Sequence, residues 1–246
     1  MATKALHRFI QRVEYYGADL ELCDLLVRKF FAVGNSDASV AEALGSTNER
    51  HPYLGRRVNA RKSRVICGSH LKQTLHVAFI KDLFEDFSAY LAETMTKAAL
   101  KGIDPARFIG DVRLDIHAAE ILGAGNWEAT VRLISDAIFR KLENERNTRD
   151  LIRKASVRLG LQIDQATLDG AMPYLDARHI LVHRDGVTDP QYRNDYPLIP
   201  HNGDKIGVDY AFVSEAKRTV TSLALDIDAK IIAADLVRRQ DMQGQR

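Results

Sequence analysis

Residues 6–30 read LHRFIQRVEYYGADLELCDLLVRKF, and the spacing inside this stretch decides the fold class. Its apolar or aromatic positions Leu6, Ile10, Val13, Tyr16, Leu20, Cys23, Val27 and Phe30 lie three or four residues apart. A helix of about 3.6 residues per turn gathers such positions on one face. A strand, whose side chains alternate every second residue, would scatter them. The spacing predicts one long helix within residues 1–33 with its stripe in a core. A period close to 3.5 also suits a seam between two copies of the chain.

Outward from that helix, Gly34, Asn35, Ser36 and Asp37 form a stop, and a short helix is expected near Ser39 to Leu44. Residues 45–68 have no clean period and are expected to be an irregular insertion. The insertion is basic: from Arg50 to Lys72 there are seven Lys or Arg and no Asp or Glu. Such a run either neutralises phosphates or is an ordinary solvated loop. A second long helix is predicted from Ser69 to Leu100. Asp104 is placed to cap a short helix with Pro105 in its first turn. Asn126 caps a helix to about Asn144, with Trp127, Val131, Ile134, Ile138 and Leu142 inward. A further helix covers Thr148 to Leu159 and is stopped by Gly160. The next opens at Asp164 or Thr167, runs to about Arg184 and ends at Asp185 and Gly186. A polar stretch with Pro190, Pro197 and Pro200 follows, then a short extended piece at Lys205 to Val208 and a last helix from Val213 to Arg238.

Strand signals are nearly absent and the helix connections are short, so the expected class is all-α, an antiparallel helical bundle with the basic insertion after its first helix. We expect a single domain over 1–246, made of the first helix at 1–33, the insertion at 45–68 and a core bundle at 69–237. Hydrophobic residues make up 46% of the chain, enough for a sizeable core. Thirty-five Lys and Arg against 33 Asp and Glu give a net charge of +2. That balance does not argue nucleic-acid binding, so any such case must rest on a local patch. Cys23 and Cys67 form no metal or disulfide motif. No leader-like apolar run follows the first basic residues, and no uncharged stretch approaches the roughly 18 residues of a membrane span. A cytoplasmic protein with no membrane contact is expected. No phosphate-cradling Gly-rich loop occurs, so nucleotide hydrolysis and dinucleotide chemistry are not indicated.

The chemistry-bearing stretch is residues 176–186, DARHILVHRDG. Leu175, Ile180, Leu181 and Val182 anchor the helix, which leaves Arg178, His179, His183 and Arg184 at its end. Three readings remain open. These side chains can be surface residues favoured by the negative end of the helix dipole. His179 and His183, four apart, can share a face and ligate zinc, although neither a third ligand nor the Glu of the metalloprotease helix is present. Or they can form a metal-free phosphodiesterase site. In that case an Arg holds the scissile phosphate and a His moves the proton of an RNA 2′-hydroxyl. Arg178 and His183 are about 140° apart on an ideal helix of roughly 3.6 residues per turn, so a partner chain is one way to complete such a site.

This segment resembles the signature of the HEPN superfamily (higher eukaryotes and prokaryotes nucleotide-binding). There an Arg is followed by a His after four to six residues, often with a polar residue directly after the Arg. Arg178, His179 and His183 fill these positions in order, and Arg184 to Asp189 is similar to the family's continuation of Gly and then Asp. Leu83-Phe84-Glu85-Asp86-Phe87 resembles the Phe-Glu-containing second helix of several branches, and the similarity covers about Leu71 to Val237. The resemblance implies a helical bundle that pairs as a homodimer with a composite cleft. It also implies a metal-independent RNA endonuclease without cofactors that leaves 2′,3′-cyclic phosphate ends, in a toxin–antitoxin or anti-phage defence system where an antitoxin or other defence partner acts on it. Under it Arg178 stabilises the phosphate, His183 is the general acid or base, and His179 orients the site or touches the phosphate. Glu85 or Asp86 holds Arg178 from the facing helix. The insertion has no counterpart in the family; its basic charge makes Arg56, Arg57, Arg61 and Lys62, together with Arg184, the expected substrate-binding residues. The alternative is a non-catalytic HEPN module that binds RNA, a nucleotide or a partner protein.

Overall fold

A computed structural model describes residues 1–144 and 147–244. The fold is all-α: among the described residues there are eleven α-helices, one 3-10 turn and one two-stranded hairpin. In chain order the helices are α1 (Lys4–Phe31), α2 (Val40–Ala43), α3 (Pro52–Gly55), α4 (Arg61–Lys101), α5 (Pro105–Ile109), α6 (Ala118–Gly123), α7 (Trp127–Glu143), α8 (Thr148–Leu159), α9 (Gln165–His183), α10 (Pro190–Asp195) and α11 (Tyr210–Ala233). The hairpin strands β1 (His201–Asn202) and β2 (Lys205–Ile206) lie between α10 and α11 and pair antiparallel. Among the described residues no helix is long and apolar enough to cross a membrane.

The 41-residue α4 is the spine. Its side chains Phe79, Ile80, Leu83, Phe87, Leu91 and Met95 are almost wholly buried. Around them pack Leu6, Phe9 and Val13 of α1, Ile138 and Leu142 of α7, Ile152 of α8, Met172 and Leu175 of α9 and Leu223 of α11. Helix directions follow from paired contacts. Phe9 meets Phe87, with ring centroids 6.2 Å apart, while Tyr16 meets Phe79 at 6.1 Å, so α1 runs antiparallel to α4. Tyr174 meets Phe212, and the Asp164 amide donates to Asp226, so α9 runs antiparallel to α11. Nδ1 of His76 contacts the Val208 carbonyl, and the Tyr90 hydroxyl donates to the Ala224 carbonyl. Hence α4 and α11 run in the same direction, and α1 and α9 run antiparallel to both.

The main core takes in α1 only as far as Leu20 and buries α4 fully only from Phe79. Beyond it the C-terminal half of α1 and the N-terminal half of α4 form a two-helix arm, whose end is closed by residues 32–60. Cys23, Val27, Val40 and Ala41 are buried there, outside the main cluster. The arm helices touch closely at Gly68: a Cβ at that position would lie 2.5 Å from Phe31 Cε1, so only glycine fits.

The insertion is more ordered than its sequence suggests. It contains α3, and α4 begins at Arg61 rather than Ser69. The reason is a tertiary cap: Ala60 offers no side chain, and the Asn35 Oδ1 accepts the Arg61 amide instead. Buried Arg64 then ties the arm's end together, donating to the Asn59 side chain at 2.7 Å, the Asn59 carbonyl and Asn35 Oδ1. Arg64 is thus a structural residue, not part of the free basic run. Elsewhere α11 starts at Tyr210, because Asp209 accepts the Phe212 amide, and stops at Ala233 before the left-handed Asp235. Two short helices, α6 and α10, were not expected; α10 has Asp189 as cap and Pro190 in its first turn, a start signal masked by the prolines around it. Trp127, expected inward, is 74% exposed in the first turn of α7.

Arg64→Ala leaves the Asn59 and Asn35 groups without their buried donor, at a cost of about 1–3 kcal/mol. That loss falls on the arm. Hydrogen exchange followed by mass spectrometry should show faster exchange across residues 32–60 while α9 and α11 stay protected. Unchanged protection of 32–60 would refute the role assigned to Arg64.

Candidate functional site

Helix α9 carries the motif and is fixed at both ends. Asp164 accepts the Thr167 amide at its start, and Arg149 of α8 pairs with Asp169 one turn in. Pro173 interrupts its interior hydrogen bonding, and the hydroxyl of buried Tyr192 donates to the Pro173 carbonyl at 2.8 Å. At the C-terminus the amides of Arg184 and Gly186 both donate to the Ile180 carbonyl. Asp185 and Gly186 turn the chain away with φ of 50° and 82°, the left-handed conformation that glycine adopts without strain. The hairpin then holds this loop, with the Ile206 amide donating to the Gly186 carbonyl.

Beside α9 lies a cleft of about 790 Å³, whose lining includes Phe84, Glu85, Asp176, Arg178, His179, Tyr192 and Tyr196. Arg178 Nη2 donates to Glu85 Oε1 at 2.7 Å. Its guanidinium lies over the Phe84 ring, 4.9 Å from the centroid, and its Nε is buried without a hydrogen-bond partner. An ion pair below the guanidinium and an aromatic face against it fix its plane. Of the two candidate acids only Glu85 holds Arg178. Asp86, one residue on, points another way around α4 and pairs with Arg12 of α1.

His179 shares the cleft with Arg178. The His183 ring packs against it, with centroids 4.8 Å apart; both histidines are solvent-exposed, and His183 is not part of the cleft lining. Arg184 pairs with Asp189 at 2.6 Å. The insertion residues Arg56, Arg57, Arg61 and Lys62 are remote from the motif within one chain. The 24 residues of α4 from Arg61 to Glu85 rise roughly 36 Å at about 1.5 Å each. Among the described residues no group of three or more His, Cys, Asp and Glu side chains is arranged to hold a metal ion, so the His179–His183 pair has no third donor of those types beside it.

The electrostatics differ from group to group. Partial burial pushes the His179 imidazole below the ordinary histidine value, and His183, Arg184 and Arg178 add repulsion, so its surroundings disfavour the charged form. Glu143, at the cleft's edge, is pushed up by burial and by Glu85, against the pull of Arg178. Asp176 is pushed up by burial, although the Tyr196 hydroxyl donates to it. The Tyr192 and Tyr196 phenols are likewise pushed up, first by burial. Glu143, Arg149, Asp176, Tyr192 and Tyr196 were not singled out from the sequence. The only sequence trace of the tyrosines is their spacing of four, which stacks their rings with centroids 5.0 Å apart.

Because Asp176 titrates higher in the folded chain than in the unfolded one, its ionisation costs stability. That cost is absent at low pH and grows as pH rises through the folded value. Carboxyl-carbon NMR should place its midpoint above the ordinary aspartate value of about 3.9. Tyr196→Phe, which removes a donor to the carboxylate, should move the midpoint further up; a fall or no change would refute this account. Compared with known proteins, the chain matches no family model, and no curated protein or solved structure is similar to it.

Proposed function

We propose that this chain is a metal-independent RNA endonuclease of the HEPN type, working through Arg178, His179 and His183. The observation that carries this is that one cleft is lined both by an arginine fixed by Glu85 and Phe84 and by the imidazole of His179, whose protonation its surroundings disfavour. The chemistry follows from those states. Neutral His179 takes the 2′-hydroxyl proton, the 2′-oxygen bonds to phosphorus, and the bond from phosphorus to the 5′-oxygen breaks. His183, beside it, returns a proton to that oxygen. Arg178 balances the charge that gathers on the phosphate. The products are a 2′,3′-cyclic phosphate and a 5′-hydroxyl. This gives His179, rather than His183, the base role, because His179 is the histidine on the cleft.

A homodimer in which two motifs share one cleft is part of this proposal, as is a place in toxin–antitoxin or anti-phage defence. Support for the pairing comes from α1, which turns Tyr15, Leu22, Leu25 and Leu26 to solvent, each more than half exposed, away from the stripe that packs on α4. Apolar side chains gathered on one exposed helix face suit an association surface.

One observation favours the second reading, a non-catalytic binding module. The cleft is lined by Glu85, Glu143, Asp176, Asp189 and Asp195 against Arg149 and Arg178, a weak field for a polyanion. Tight RNA binding without cleavage would select that reading.

The deciding measurement is cleavage of total and transfer RNA in excess EDTA by the wild type and by Arg178→Ala, His179→Ala and His183→Ala. Each variant should lose about 10² or more in rate, with cyclic-phosphate ends only from the wild type. Cutting by all three at the wild-type rate sinks the assignment. The acid limb of the rate profile should lie below the ordinary histidine value of about 6.5, since the depressed His179 stays neutral to lower pH. Arg184→Ala should move that limb up, because it removes a charge that repels the imidazolium.

A further inference from the structure

The arm's end carries a charge distribution that the cleft does not use. Arg50, Arg56, Arg57, Arg61 and Lys62 are all exposed, and none of their side chains forms an ion pair among the described residues. Of the carboxylates in the arm, Asp24 pairs with Arg28 and Lys72 and Glu42 accepts from the Ser39 amide and Asn48, while Asp37 and Glu49 form no ion pair with these cations among the described residues. Among these cations stands Tyr53, 80% exposed, with the Arg56 guanidinium 5.7 Å from its ring centroid. The Arg64–Asn59–Asn35 network holds the backbone beneath them, so the patch is preorganised.

Free cations around an exposed aromatic ring suit a nucleic-acid backbone with an unstacked base nearby. One continuous helix links the patch to the cleft, because α4 runs unbroken from Arg61 past Glu85. Their separation is therefore set at roughly 36 Å by about 1.5 Å of rise per residue. A short single strand cannot touch both. A folded RNA can, if its stacked region is about a dozen or more base pairs long, since each A-form step rises less than the roughly 3.4 Å of duplex DNA.

We propose that the end of the α1–α4 arm is a second RNA-binding surface, which grips the backbone of a structured RNA at a fixed distance from the cleft. The naming of RNA rests on the function proposed above. The binding itself does not depend on cleavage, so the two can fail separately.

The test uses the full chain and two labelled probes in EDTA. One is an RNA hairpin with a stem of about 15 base pairs, near the length of duplex that an RNA-binding domain spans; the other is a single strand of about five nucleotides, a minimal single-strand site. The fourfold variant Arg56→Ala, Arg57→Ala, Arg61→Ala, Lys62→Ala changes only exposed side chains, and an unchanged melting temperature checks its fold. It should bind the hairpin at least about tenfold more weakly, with a plot of log affinity against log salt that is shallower by about 0.9 for each phosphate it no longer neutralises. Its handling of the short strand should match the wild type. Hairpin affinity and salt slope equal to wild type would overturn the proposal and leave the cleft chemistry untouched. Arm-dependent hairpin binding with no cleavage by any variant would instead uphold the arm and overturn the ribonuclease reading.

Discussion

Burial of the apolar face of α4 is the constraint on which the rest of the structure depends. Phe79, Ile80, Leu83, Phe87, Leu91 and Met95 contribute side chains that are at most 3% exposed, each stabilising by about 1.5–3 kcal/mol when removed from water. A helix buried along this length cannot rotate or slide without exposing several of these groups together. That fixes the azimuth of residues 84–86. Phe84 and Glu85 then point toward α9 and Asp86 toward α1. The Arg178–Glu85 pair is therefore set by core packing more than by its own strength. As a partly exposed ion pair it contributes little stability, but its geometry is held for it.

The same packing explains why neighbouring acids behave differently. Asp86 has a side chain only 8% exposed and is compensated by Arg12. Asp176 and Glu143 have no cation in direct ion-pair contact among the described residues, and burial pushes both up. His179 is treated in the opposite sense for the same reason: burial disfavours whichever form carries charge. The cleft thus combines carboxyls whose ionisation burial disfavours with an imidazole whose protonation it disfavours.

Legibility in the sequence followed the range of the interactions. Helix α1 was readable from its apolar stripe alone, and α7, α8 and α9 because the caps Asn126 and Asp164 and the stop Gly160 sit next to the apolar stripes they bound. The start of α4 was not, because its cap is Asn35, 26 residues away in sequence. Arg178 and His179 were legible as a motif, and Glu85 as one of two candidate acids. Choosing Glu85 over Asp86 needed the rotation of α4 about its axis, and that rotation is set by contacts with several other helices at once. Tyr192 and Tyr196 reach the cleft only through a loop that the hairpin and Gly186 hold back against α9, a tertiary fact with no local pattern.

The arm and the cleft together suggest how one chain separates affinity from chemistry. A cleft crowded with cations would bind phosphate tightly in the ground state and would depress His179 further, since every added positive charge drives its pKa lower. An imidazole driven too low is a poor proton acceptor near pH 7. Placing the free cations about 36 Å away along α4 removes their field from the imidazole, because exposed charges are screened beyond roughly 10 Å at ordinary ionic strength. Remote contacts can still hold the substrate and supply the binding energy that positions its reacting part. On this view the length of α4 is itself functional: it is long enough to decouple the two electrostatic environments and stiff enough to keep them in register.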